Sequence, residues 1–213
     1  MENKPMYRPR HFDIDDPKVL NDFMREQSFA LLVTSLGGVP YASHIPLLLD
    51  DGGEHGRLQG HLAKANGQWQ GFDGKTEALV VFWGPHAYIS PNWYEAKKNV
   101  PTWNYVTVHA YGKPVVIDDP EAVRQGQADM VDFFESDATD NWSMDLLPDD
   151  YVGSKLKGIV CFEMPIDRLE GKFKLSQNRS AEDVKGAIKG LNATGEAEAI
   201  EVARLMAEFN SDD

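Results

Sequence analysis

Apolar residues recur along this chain with two periods, and the switches between them mark its elements. Val19, Leu20, Phe23 and Met24 fall on one face of a helix that Asp16 can cap and Pro17 can open, which predicts a short amphipathic helix over 17–27. Extended runs follow: FALLVTS (29–35), a Gly37-Gly38 turn, YASHIPLLLD (41–50), the tight turn DDGGEHG (50–56) and RLQGHLA (57–63). Residues 65–74 read as a short, poorly capped helix. EALVVFWG (77–84) reads as a buried strand that HAYISP (86–91) continues in extended form. From Thr102 to Asp118, Trp103, Tyr105, Thr107, His109 and Tyr111 alternate with Val106, Val108 and Ala110, which predicts a long strand with two chemically different faces.

The remaining elements are helical apart from one extended segment. Asp119-Pro120 opens a helix with Val123, Met130, Val131 and Phe134 inward, and the acidic stretch 135–150 reads as a loop holding Trp142. Residues 158–177 read as two strands broken at Pro165. Ser180 and Asp183 predict a capping box for a helix burying Val184, Ile188 and Leu191, and a last helix runs from Glu196 to Asn210. About seven antiparallel strands with few peripheral helices predict a mainly β, α+β fold: a small β-barrel decorated by helices. A doubly wound parallel sheet would need regular strand–helix alternation. One domain over 1–213 with a C-terminal helical extension at about 180–210 is the expected organisation.

Charge narrows the function classes. Twenty-one Lys and Arg against 34 Asp and Glu give −13, a poor field for gripping a polyphosphate backbone. Cys161 is the lone cysteine, so an intramolecular disulfide cannot form, which suits a reducing cytoplasm. The N-terminal residues MENKPMYRPRHFDIDD lack the apolar run of a secretory signal. No stretch approaches the roughly 20 apolar residues of a spanning helix, so a cytoplasmic protein without a membrane partner is expected.

Dinucleotide-binding glycine fingerprints, P-loops and H-E-x-x-H are all missing, so any phosphate must be held by side chains on strands. His44, His61, His86 and His109 lie in predicted strands without a carboxylate or cysteine at ligand spacing, which favours a polar barrel face over a metal site. In GHLAKAN (60–66), Lys64 emerges where a strand gives way to a helix start, with Asn66 nearby. That lysine can fix a phosphate by charge and backbone N–H groups together, or be merely solvated. YISPNWYEAKKNVPTWNY (88–105) places five aromatics beside Lys97 and Lys98, bracketed by Pro91 and Pro101, with Trp93 and Tyr94 facing the strand that starts at Trp103. Flat rings among Ser90, Asn92, Asn99, Thr102 and Asn104 suit a planar heteroaromatic ligand, and plain core packing accounts for them equally well. Lys172, Lys174 and Arg179, with Ser176, Gln177 and Asn178, make either a local anion-binding patch or a solvated strand end.

The ordered set HIPLLL (44–49), GHLAKAN (60–66), YISPNWY (88–94), VPTWNY (100–105) and KLSQNRS (174–180) resembles the PaiB-type family of FMN-binding negative transcriptional regulators, from Met6-Tyr7 to the last helix. The resemblance implies the FMN-binding split β-barrel shared with pyridoxamine-phosphate oxidases and flavin reductases, and a homodimer with FMN at the subunit interface. It implies His61, Lys64 and Asn66 as cofactor ligands, with Ser90, Trp93, Trp103 and Asn104 lining the isoalloxazine or ribityl chain. It further implies Ser176, Gln177 and Asn178 approaching the cofactor, from the partner subunit in such dimers. Gly67 stands where many split-barrel proteins have proline, a departure expected to loosen the turn.

Transcriptional regulation is the function this resemblance implies. The last helix carries Glu196, Glu198, Glu201 and Glu208 against Arg204 alone, so a protein partner is expected rather than DNA, unless a patch such as Lys172, Lys174 and Arg179 serves. The alternative is a flavin-dependent oxidoreductase acting on a small molecule with NAD(P)H or a similar donor, His61 or His109 supplying a proton. The sequence leaves open whether the protein is an enzyme. A haem-degrading role lacks a C-terminal ligand, since no histidine follows His109.

Overall fold

Eight strands, β1 to β8, form among the described residues and pair antiparallel. The computed structural model describes residues 6–96, 98–136 and 142–211; Lys97 and part of the acidic 135–150 stretch therefore lie outside the described residues. The chain divides into two compact units. The first takes the residues up to Leu20, Trp83–Val108 and Glu170 onward, and the second takes Asn21–Phe82 and His109–Leu169. Three strands and helix α1 (Pro17–Glu26) run from one unit into the other.

In the second unit, β2 (Phe29–Leu36) and β3 (Val39–Asp50) pair from Phe29↔Pro46 to Leu36↔Val39. That register leaves a two-residue loop, Gly37-Gly38, whose φ angles of 60° and 81° are those of the type I′ turn that matches strand twist. β3 pairs with β4 (Arg57–Ala63), and β4 with β8 (Ile159–Lys174), in register from Arg57↔Pro165 to Ala63↔Ile159. β2 also pairs with the start of β5 (Ala78–Ile89). Leu32, Leu58, Val80, Phe82, Phe162 and Met164 are buried at alternate strand positions, as the pleat requires. Helix α2 (Pro120–Glu135) and helix α3 (Asp149–Leu156) belong to this unit.

In the first unit, the two-residue β1 (Asp13–Ile14) pairs with the end of β8. Helix α4 (Ala181–Thr194) buries Val184, Ala187 and Leu191, and helix α5 (Ala197–Phe209) buries Ala199, Val202, Ala203 and Met206.

Several boundaries depart from the sequence reading. The predicted 102–118 strand is two, β6 (Thr102–Gly112) and β7 (Val115–Ile117), because Pro114 carries no N–H and its carbonyl instead accepts from Gly74 at 3.0 Å. β8, by contrast, is not broken at Pro165. Ile166, not Pro165, donates to the Gly56 carbonyl at 3.1 Å, so the proline sits where this ladder needs no donor. β5 likewise runs unbroken through Gly84-Pro85. α3 begins inside the predicted 135–150 loop, with Pro148 at its cap and Asp149 and Asp150 in its positive first turn. The capping box is half formed. Ser180 Oγ accepts from the Asp183 N–H at 3.2 Å, but the short Asp183 side chain reaches elsewhere, accepting from the N–H groups of Glu95 (2.9 Å) and Ala96 (3.2 Å).

Candidate functional site

The end of β4 is fixed by two hydrogen bonds at Lys64. Lys64 donates its backbone N–H to the Gly158 carbonyl at 2.8 Å, and its own carbonyl accepts from Trp69 Nε1 at 3.1 Å. Its ammonium group is exposed and has no ion-pair partner among the described residues. Asn66 was expected to leave the following turn poorly capped; instead it is the cap. Its Oδ1 accepts from the Gln68 N–H at 3.0 Å and its Nδ2 donates to Ser43 Oγ at 3.0 Å, above a 3₁₀ turn over Gly67–Gly71. One donor and one acceptor of that amide are used in holding the turn.

Gln68 anchors the same turn. Buried, it donates from Nε2 to the Leu32 carbonyl, Thr34 Oγ1 and the Tyr41 carbonyl at 3.1–3.2 Å. Sequence reasoning passed over both Gln68 and Trp69; the available signal was a GQWQ run too short for a helix yet rich in hydrogen-bonding groups. Three positions before Lys64, His61 is half-buried with its Nδ1 enclosed and unpartnered, and burial pushes its pKa below the ordinary value. His61 is therefore neutral at pH 7.

Lys64 also lines a cavity of about 580 Å³ together with Arg124, Lys157 and Asp118, over apolar Val116, Val123 and Leu156. Three cations against one acid give it a positive lining, although Arg124 is shared with Asp149 at 2.9 Å. Cys161 lines it as well; burial pushes its thiol pKa up, against a smaller opposing effect of the Gln127 contact, so it stays protonated at neutral pH.

The other seven sequence candidates lie in the first unit. Ser90 caps the 3₁₀ turn Pro91–Trp93, its Oγ accepting from the Asn92 N–H at 3.2 Å. Of the two rings expected to face the Trp103 strand, Trp93 lines a cavity together with Trp103. The Trp93 ring rests on α4, where a Cβ on Gly190 would lie 2.2 Å from its Cδ2, and Tyr94 is buried with the Arg179 guanidinium 5.1 Å from its ring. Asn104 is fully buried, donating to Ser176 Oγ (2.9 Å) and Met206 Sδ (3.3 Å) with its Oδ1 unpartnered. Ser176 holds a left-handed backbone at φ 69°, a conformation costly for a residue with a Cβ. Gln177 is spent on its own strand end, bonding the Leu175 N–H and the Phe173 carbonyl, while Asn178 is exposed.

The nearby cations are not a solvated strand end. Lys172 is only 8% exposed and lies 5.3 and 5.4 Å from the rings of Tyr7 and Tyr105. Lys174 Nζ donates to Thr102 Oγ1 and the Trp103 carbonyl. Desolvation first, then Lys172 and Arg179, lower its pKa. Arg179 donates to Asn99 Oδ1 at 2.6 Å.

A separate cavity of about 410 Å³ in this unit is lined by His86, Tyr88, Trp93 and Trp103 together with Glu196 and Glu198. His44, His61, His86 and His109 are all on strands, and no group of three or more metal-ligating side chains occurs among the described residues. Among them, too, no helix is long and apolar enough to cross a membrane.

Residues 6–168 match the family described as "Putative FMN-binding domain". The chain is 36% identical to the Protease synthase and sporulation protein PAI 2 of Bacillus subtilis, over 94% of this chain and 96% of that one. It is 33% identical to an uncharacterized protein of Emericella nidulans, over 83% and 86%. Among solved structures it resembles the FAD and heme binding protein of Mycobacterium smegmatis (TM-score 0.60, 15% identity, 81% of this chain and 78% of that one). It also resembles the flavocytochrome Anf3 of Azotobacter vinelandii (0.57, 13%, 83% and 77%). The mainly β antiparallel fold with helices is thus the split barrel expected from the sequence.

Proposed function

Because the chain belongs to the FMN-binding domain family, we propose that it works as an FMN-loaded homodimer in transcriptional regulation, through a protein partner. The observation that carries the FMN assignment within the molecule is Lys64: an unpaired ammonium, its backbone fixed from both sides, lining a positively charged cavity with apolar walls. A phosphate needs such a cation, and the neighbouring apolar side chains suit the flat part of the cofactor. Asn66, Gln68 and Trp69 act by positioning that lysine, and His61 Nδ1 is enclosed without a hydrogen-bond partner among the described residues. Bound FMN would supply reversible redox chemistry that no side chain offers.

The placement of the cations supports regulation through a partner protein. Arg204, the lone cation of α5, is held by Glu201 (2.7 Å) and Glu208 (2.9 Å). Lys174 and Arg179 are engaged by neighbouring groups and Lys172 is buried, so none of the three projects as a phosphate-gripping patch.

One observation favours a second reading, a flavin-dependent oxidoreductase. His61, neutral and on β4 three residues before Lys64, is a titratable side chain that could hold a proton in such a reaction. Anaerobic mixing of the FMN-loaded protein with NADH or NADPH separates the two: rapid bleaching of the flavin band supports the enzyme, an inert flavin the regulator.

The FMN assignment is tested by titrating cofactor-free protein with FMN. The wild type is expected to bind one FMN per chain, and Lys64→Ala to bind at least about tenfold more weakly, the loss of a charge-assisted phosphate contact. Unchanged affinity in a folded Lys64→Ala protein removes Lys64 from the site.

A further inference from the structure

We propose that the cavity between the aromatic segment and the start of α5 is a binding site for a small organic cation bearing an alkylammonium group. Four aromatic side chains, His86, Tyr88, Trp93 and Trp103, line it together with Glu196 and Glu198. The rings are mutually inclined: Trp103 lies 6.0 Å from His86 at 33° and 5.9 Å from Tyr88 at 74°, which offers more than one π-face to a shared space. Faces of indole and phenol rings attract a cation through their quadrupole, and carboxylates add a net charge of the same preference. No lysine or arginine is among the described residues lining the cavity.

The two carboxylates are not equivalent. Glu198 Oε1 lies 2.7 Å from His86 Nδ1 and accepts from the His86 N–H at 3.3 Å, so it fixes the imidazole wall. Glu196, at the cap of α5, uses its backbone N–H on Thr194 Oγ1, while its carboxylate has no partner among the described residues. It is the group left to meet a charge. Trp93 is held in place by its seat on Gly190, so part of the wall is preorganised. Trp103 and Tyr88 remain 52% and 47% exposed, as cavity walls open to a ligand would be. A volume of about 410 Å³ admits a compact ligand.

This assignment stands apart from the flavin reading. The lining carries two carboxylates and no lysine or arginine, which suits a cation and sets this cavity apart from the Lys64 phosphate site. Choline serves as the probe, and calorimetry of the FMN-loaded protein as the measurement. Choline is expected to bind, and its uncharged carbon isostere, with a tert-butyl group in place of the trimethylammonium, to bind at least about fivefold more weakly. Glu196→Gln and Tyr88→Ala are each expected to weaken choline about fivefold while leaving the flavin absorbance unchanged. Both positions are exposed, so both variants should fold; Glu196→Gln alone suffices should Tyr88→Ala not. Absence of choline binding, equal binding of the isostere, or variants with wild-type affinity would each overturn the proposal. Flavin loading, read on the same samples, reports on the FMN assignment separately.

Discussion

Two residues beside the β4 terminus carry measurable consequences of their surroundings. His61 has its pKa lowered by burial, so between its folded value and the ordinary value near 6.5 the unfolded chain binds the extra proton. The sign is therefore destabilisation on acidification: stability contributed by His61 is complete above the ordinary value and is lost as pH falls through the folded one. Thermal unfolding at pH 7.5 and pH 5 should show the wild type losing more stability than His61→Gln; equal losses would mean the imidazole is not protected. Gly67 is the first position of the Asn66-capped turn, its N–H enters no backbone hydrogen bond, and space beyond its Cα is open. Proline fits such a position, so Gly67→Pro should stabilise by about 0.4–1 kcal/mol through the unfolded chain. A lower melting temperature would show that the turn needs glycine there.

Helices α3 and α4 offer a controlled pair at the scale of elements. Both contain a glycine whose replacement by alanine gains about 1 kcal/mol of helix propensity. At Gly153 in α3 nothing lies within reach of the new methyl, so Gly153→Ala should raise the melting temperature. At Gly190 in α4 the methyl would meet the Trp93 ring at 2.2 Å, and the overpacking cost of about 1–3 kcal/mol should outweigh that gain. Calorimetry of both variants checks the contrast. The same pair shows what the sequence could convey. The strand alternation of β6 is readable because each buried valine or alanine repeats at period two: Val106, Val108 and Ala110 are fully buried, as expected. The seating of Trp93 on Gly190, with about a hundred residues between them, has no periodic trace. Prolines misled in both directions, since whether a missing N–H breaks a strand depends on which neighbour that N–H would have faced. At Pro114 the strand ends and at Pro165 it does not. The lysine at the end of β4 was legible from its strand-to-turn position. The carboxylates beside Trp93 and Trp103 were not, because only the folded first unit gathers them.

At the scale of the molecule, an excess of thirteen negative charges sets how the protein meets its partners. A DNA reader neutralises phosphates with projecting cations and loses affinity steeply with salt. Here the cations that sequence proximity gathers at the end of β8 are turned to other tasks, hydrogen-bonding Thr102, the Trp103 carbonyl and Asn99 or lying beside tyrosines. Arg204 on α5 is bracketed by glutamates, so that helix presents net negative charge. Gel-shift titration of the FMN-loaded protein against its own promoter region should therefore show no sequence-specific complex at about 150 mM salt, the ionic strength at which weak surface attraction is screened. A salt-sensitive, sequence-specific shift would instead require cations outside those placed here, and would replace the partner-protein route with direct contact to DNA.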